Sequence, residues 1–202
     1  MSHVARRQRW GESQSVDERR DEILRSLGMF LRENRLSSLT MQDIAGQLNM
    51  TKGNLYYYFK SKQDIIYHGH LKSMERSLAA LEIVQRQRKS PTAQLRALIE
   101  AHIAGMLDDP CAAVLMTGIE ELSPSQRRRY VGLRDRFERG IRRIIEAGIA
   151  CREFRKVDVQ LAGFAMLGSV NFMPKWYRPE GRMPSAEIAR NFADFFTHAL
   201  LA

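Results

Sequence analysis

Apolar residues recur along this chain at spacings of three and four, the period of helices that bury one side. Ile23, Leu27, Phe30 and Leu31 mark the inward face of a first helix over 16–34. Met41, Ile44, Ala45 and Leu48 fall at i, i+3, i+4 and i+7, and Leu55 and Phe59 are again one turn apart. Leu71, Met74, Leu78 and Leu81 predict a long helix over 62–88. Pro91 permits a new helix over 91–108, since proline is tolerated in a first turn. Pro110 starts a short one bearing Cys111, Val114, Leu115 and Met116. Ser123-Pro124-Ser125 opens a long one to 151, and two more are expected over 157–177 and 185–200. No strand-like alternation persists, and no repeat or flexible linker breaks the chain. The pattern therefore predicts an all-α fold in which the 62–88 helix joins two parts continuously.

Residues 39–66 carry the most specific signal. Thr40 can cap one short helix, with Asp43 three residues on. Asn49 suits a left-handed turn conformation. Thr51 can cap the next helix, and Met50 and Leu55 stand at the N′ and N4 staple positions. Leu55 and Phe59 anchor that helix inward, which leaves Lys52, Gly53, Asn54, Tyr56, Tyr57 and Tyr58 over its other faces. Ser61 and Asp64 repeat the capping pattern ahead of the long helix. A short, anchored helix presenting basic and aromatic groups after a tight turn is the pattern of a helix-turn-helix that reads DNA.

These residues resemble the DNA-binding domain of TetR-family transcriptional regulators. Thr40, Ile44, Ala45, the run Lys52-Gly53-Asn54-Leu55-Tyr56-Tyr57-Tyr58-Phe59, and Ser61-Lys62 carry the resemblance, which spans 18–66. Two positions depart from the family pattern: Asn49 stands where Gly is frequent, and Asn54 where Thr, Ser or Ala is common. The resemblance implies a three-helix helix-turn-helix domain over 16–62; the basic, terminal stretch over 1–15 before it is expected to be a disordered arm. It implies a six-helix effector-binding and dimerisation domain over 63–202. Lys52, Gly53, Tyr56 and Tyr57 are expected to face base edges, and Thr40, Asn54, Tyr58 and Lys62 to reach phosphates. The partners implied are a palindromic double-stranded DNA operator, a second copy of the chain and a small-molecule effector. Such a regulator is usually a repressor; the residues themselves do not distinguish repression from activation.

Charge agrees with a polyanionic partner. The chain carries a net charge of +9 with a pI near 9.9, which suits nucleic acid or an anionic membrane surface alike. Residues 1–62 hold eleven Lys and Arg against seven acids. Arg6, Arg7 and Arg9 form an arm that either lies along DNA or is a solvated tail. Residues 126–156 hold eleven against four, and Arg127, Arg128 and Arg129 read mostly as a solvated face. Cys111 and Cys151 fit no metal-ligand spacing and are expected as reduced thiols. No apolar run reaches transmembrane length and no signal core is present, so a cytoplasmic location without membrane attachment is expected.

The last two helices suggest self-association. Ile188, Phe192, Phe195, Phe196 and Ala199 form a wide apolar stripe. The preceding helix, with Phe164, is apolar nearly all round, and Ala162, Gly163, Gly168 and Ser169 would allow close approach. Two readings follow: a four-helix interface about a two-fold axis, or completion of the protomer's own core. The resemblance favours the homodimer, with Phe164, Gly168, Ile188, Phe192, Phe195 and Phe196 at the interface.

Effector residues are harder to read. Met106, Met116, Met166 and Met173 are ordinary core residues or the lining of a cavity for a flexible apolar ligand. His102 and Asn171 lie among apolar neighbours and need partners if buried. With Phe137 and Trp176, the candidate pocket is His102, Met106, Met116, Phe137, Met166, Asn171 and Trp176. The segment 175–181 also resembles one found in TetR-family regulators of lipid catabolism, several of which respond to acyl-coenzyme A thioesters; Trp176 reads equally well as a helix-end anchor. An enzyme would need convergent acid, base, nucleophile or metal groups. The five histidines, His3, His68, His70, His102 and His198, are scattered, and no phosphate-binding glycine loop is present. No catalytic residue, metal or cofactor is expected.

Overall fold

The computed structural model describes residues 15–31, 38–109 and 119–202. Among them are eight α-helices: α1 (Val16–Phe30), α2 (Met41–Gln47), α3 (Lys52–Tyr58), α4 (Lys62–Arg86), α5 (Pro91–Leu107), α6 (Pro124–Ala150), α7 (Val159–Trp176) and α8 (Ser185–Leu200). A 3-10 turn at Ile119–Glu121 precedes α6. The fold is all-α among the described residues apart from one isolated bridge between Phe154 and Leu201. The basic arm with Arg6, Arg7 and Arg9, the expected end of the first helix, and the short helix after Pro110 with Met116 lie outside the described residues.

Side-chain caps set the helix starts. Ser15 with Glu18, Thr40 with Asp43, and Ser123 with Gln126 form reciprocal capping boxes, each satisfying two otherwise orphaned backbone donors. The Asp64 backbone N–H donates to Ser61 Oγ at 3.2 Å to start α4.

Two apolar cores form, and α4 runs through both. Ile23, Leu24 and Leu27 of α1, Ile44 of α2, Leu55 of α3 and Phe59 close on Ile65, Ile66 and Leu71 of α4. Further along α4, Met74, Leu78, Leu81 and Val84 enter a larger core with α5, α6, α7 and α8. Leu122, just before α6, joins the first core, while Tyr130 and Leu133 on α6 pack against both. Each fully buried Leu, Ile or Phe contributes about 1.5–3 kcal/mol through lost apolar exposure. At the α4–α6 crossing, a Cβ on Gly140 would overlap the Leu81 methyls, so the Leu81 side chain of α4 packs directly on the α6 backbone there.

The C-terminal helices use their apolar surface differently from the sequence expectation. α8 packs along α5 through Ala189, Ala193, Thr197 and Leu200, whose small members allow close approach. Ile188, expected at a dimer interface, is buried in the protomer's own core, because the inward face of α8 begins there. Phe192 and Phe196 are half-buried on the shoulder of that core, and Phe195 projects outward at 68% exposure. On α7, only Gly163, Met166, Val170 and Met173 are buried, at i, i+3, i+7 and i+10. The opposite face leaves Leu161, Phe164, Gly168 and Phe172 exposed.

Candidate functional site

α3 is a short helix held rigidly from behind. Asn49 adopts φ of 52°, the left-handed turn that reverses the chain after α2. The Met50 N–H donates to the Ala45 carbonyl at 2.9 Å, and the Asn54 N–H to Thr51 Oγ1 at 3.1 Å. Leu55 and Phe59 are fully buried. At the far end, Arg20 of α1 donates from Nε to the Tyr58 carbonyl at 3.0 Å while its other guanidinium arm pairs with Asp17 at 3.1 Å. Arg20 thereby satisfies a carbonyl at the C-terminal end of α3 and ties α3 to α1.

Opposite those anchors, α3 presents a contiguous polar and aromatic surface. Lys52, Gly53, Asn54, Tyr56 and Tyr57 are all exposed. The Lys52 ammonium lies 6.0 Å from the Tyr56 ring centroid, at the limit of a cation–π contact. Tyr57 and Tyr58 meet edge to face with centroids 5.0 Å apart. A Cβ on Gly53 would meet nothing within 4 Å, so nothing within the protomer requires glycine there. The residues expected at phosphates differ in freedom. Asn54 is exposed, Tyr58 is half-buried, and Lys62 donates to the Leu39 carbonyl at 3.3 Å. The Thr40 hydroxyl donates to Asp43 Oδ2 at 2.7 Å, and that bond with the Thr40 N–H holds the Asp43 carboxyl below its ordinary range. A phosphate would have to take that hydroxyl proton from Asp43.

In the larger core the polar centre is His102. Its Nδ1 is 2.9 Å from Ser77 Oγ on α4, and its ring centroid is 4.7 Å from that of Phe137 on α6. Nε2 is buried without a hydrogen-bond partner among the described residues. Burial pushes the ring's pKa down to about 4, so it is neutral at physiological pH. Met106, one turn along α5, and Met166 on α7 are buried in the same core. Of the candidate pocket residues, His102 and Phe137 are in contact, and Met106 and Met166 are buried in the same core. Asn171 and Trp176 are not. Asn171 follows the buried Val170 by one position, about 100° round the helix, and faces outward where its amide needs no buried partner. Trp176 ends α7 at 45% exposure, beyond the cover of the core.

Two clefts lie outside these sites. One of ≈ 430 Å³ lies at the seam of the two cores, lined by Asp21, Arg25, Lys72, Arg76, Gly105 and Asp108. There Lys72 pairs with Asp21 at 2.8 Å, a bond that raises the ammonium's pKa, and Arg76 pairs with Asp109. The other, of ≈ 640 Å³, lies along the start of α6 and is lined by Leu122, Arg127, Arg128, Val131, Gly132 and Asp135.

Comparison with known proteins identifies this architecture. The model for bacterial regulatory proteins of the tetR family matches residues 31–67, over α2, α3 and the start of α4. The model for the tetracyclin repressor-like C-terminal domain matches residues 88–200, more than half of the chain. The chain belongs to the TetR family.

As a TetR-family member it is a DNA-binding transcriptional regulator. It is 34% identical to the TetR-family regulator PfmR from Thermus thermophilus, with a TM-score of 0.81 over 87% of this chain and 97% of that one. It is 26% identical over 183 residues to the transcriptional repressor KstR2 of Rhodococcus jostii (strain RHA1), covering 86% of this chain and 87% of the relative. It shares the fold of AibR, solved with isovaleryl coenzyme A and operator DNA, at a TM-score of 0.74 and 20% identity over 91% of this chain and 98% of that one. No helix among the described residues is long and apolar enough to cross a membrane. Within this TetR-family frame, the sequence reading missed Arg20, which steadies α3 from 38 residues away, and Ser77, which orients His102 from another helix.

Proposed function

We propose that this regulator is a cytoplasmic repressor that binds a palindromic operator as a homodimer and is released by an amphipathic effector, with an acyl-coenzyme A thioester as the leading candidate. Lys52, Gly53, Tyr56 and Tyr57 face base edges in the major groove: the lysine donates to guanine acceptors, the tyrosine rings contact thymine methyls, and Gly53 lets the backbone approach closely. Asn54, Tyr58 and Lys62 reach phosphates, and Thr40 joins them by exchanging its bond to Asp43. The dimer forms through the exposed apolar face of α7 and α8, with Phe164, Gly168 and Phe195 at its centre and Phe192 and Phe196 at its edge.

The observation that carries the release mechanism is α4. One uninterrupted helix has its first turns in the core behind α3 and bears Ser77, hydrogen-bonded to His102, further along. Tyr130 and Leu133 of α6 add a second route between the cores. A ligand wedged among α4, α5 and α6 favours a tilt of α4 that spoils the spacing of the two reading heads, and weakens DNA binding by its preference for that state. The name of KstR2 as a repressor and the acyl-coenzyme A bound by AibR support the reading. So does the cleft at Arg127 and Arg128, which suits a phosphorylated head group outside an apolar core.

The test is a titration of acyl-coenzyme A species, varied in chain length and ring content, against a labelled operator. An effector should weaken operator binding and raise the melting temperature of the free protein, because it binds the folded state. If no species changes either quantity, the acyl-coenzyme A reading fails and the DNA-binding function stands.

A further inference from the structure

The hydrogen bonds around His102 determine which ring nitrogen holds the proton. Ser77 Oγ has one proton and lies 3.0 Å from the Ser73 carbonyl, an acceptor only. The hydroxyl therefore donates to that carbonyl and can only accept from His102, 2.9 Å away. Nδ1 carries the ring proton, and Nε2 is left with a lone pair. That lone pair is buried in an apolar core beside Phe137 and has no partner among the described residues. Buried polar atoms in native proteins are nearly always paired, so an orphan acceptor with a fixed tautomer marks a place where a donor belongs.

We propose that the effector carries a neutral hydrogen-bond donor, a hydroxyl or amide N–H set in an otherwise apolar body, and that this donor pairs with His102 Nε2. The inference rests on the reading that a small molecule enters the core among α4, α5 and α6, and it adds what that molecule must present there. A ketone, ether or thioester oxygen would oppose one lone pair with another and be disfavoured. A cationic amine would be disfavoured by the surrounding apolar side chains. The remainder of the molecule would pack on Phe137, Met106 and Met166, all buried in the same core. Because Ser77 stands on α4, a pull on His102 reaches the helix that runs to the reading head.

The experiment uses the full chain labelled with ¹⁵N-histidine. Matched probes are titrated: an alicyclic alcohol against its methyl ether, and a secondary amide against its tertiary analogue, alongside hydroxyacyl-, oxoacyl- and saturated acyl-coenzyme A. The donor member of a pair should shift the Nε2 resonance and bind roughly tenfold more tightly than its partner. His102→Phe keeps an aromatic ring beside Phe137 and removes the acceptor, so it should erase that preference. The alcohol and amide arms tell which donor the site takes. The proposal is overturned if no donor probe moves Nε2, if ether and alcohol bind alike, or if the preference survives in His102→Phe. It is also overturned if Nε2 is already hydrogen-bonded in the free protein and no donor alters it. An acyl-coenzyme A that releases the operator without touching Nε2 would sink this inference and leave the functional reading intact. Donor probes that shift Nε2 while every acyl-coenzyme A is inert would do the reverse.

Discussion

The reading head and the effector core put their polar groups to opposite uses. Around α3 the chain buries apolar anchors, Leu55 and Phe59, so that Lys52, Gly53, Tyr56 and Tyr57 can stand in solvent. In the larger core His102 and Ser77 are buried among apolar side chains, with Nε2 of His102 unpartnered among the described residues. The head is made for a rigid, charged partner that arrives from outside. On the proposed reading, the core takes a partner that enters and is itself surrounded.

If the anchors hold the head, removing one should do the most damage. Phe59→Ala is expected to lower stability by about 3–5 kcal/mol and to abolish operator binding. Thermal melting with a gel shift checks this, and an unchanged melt would show that α3 does not depend on Phe59. Next in size is the pH response of His102. Its folded pKa of about 4 lies below the 6.5 of an ordinary ring. Between those values the unfolded chain takes up a proton that the folded one refuses. The stability contribution is therefore present above pH 6.5 and falls as pH drops towards 4, by up to about 3 kcal/mol. The difference between wild type and His102→Phe in denaturant melts isolates it, since other groups cancel; parallel pH profiles would place the ring in a more open site.

The outer face offers a sharper contrast within a single helix. Phe195 is exposed and Phe192 packs on its own protomer's core. Phe195→Glu should leave the fold intact and weaken the dimer about a hundredfold, roughly 2–3 kcal/mol. Phe192→Glu should unfold the chain instead. Sedimentation beside circular dichroism separates the two, and a Phe195→Glu variant that stays dimeric would move the interface elsewhere. Lys52→Ala should cost about 1–3 kcal/mol of specific binding and relax the preference at one position per half-site. Gel shifts on randomised duplexes check this. Lys72→Ala, which breaks the partly exposed pair with Asp21 across the seam, should cost under about 1 kcal/mol of stability. A larger loss would make that seam a structural hinge between the regions.

The same contrast explains what the residues disclosed before the structure. Around α3 the signals are local: Thr51 caps, Asn49 turns, and Leu55 and Phe59 are one turn apart, so the pattern is contained in the segment itself. Arg20 is a partner only through tertiary packing, and no local period marks it. Ser77 looks like any helical serine until His102 arrives from another helix. Asn171 and Ile188 were misplaced for a related reason. A helix that is apolar nearly all round does not say which side is covered by its own protomer, and the small residues Ala189 and Ala193, rather than the phenylalanines, mark the inward face of α8. The short helix bearing Met116 lies outside the described residues, so that member of the candidate pocket is left as an expectation.

DNA reading by paired, rigid heads is tested most directly by selecting duplexes from a random pool with the full-length wild-type protein at two salt concentrations. Enrichment of a two-fold symmetric sequence is expected, with half-sites about one helical turn, ~34 Å, apart or a multiple of it. Specific binding should also outlast non-specific binding as salt rises. Binding that falls with salt while no sequence is enriched would contradict that claim, and would reduce the exposed surface of α3 to a basic patch.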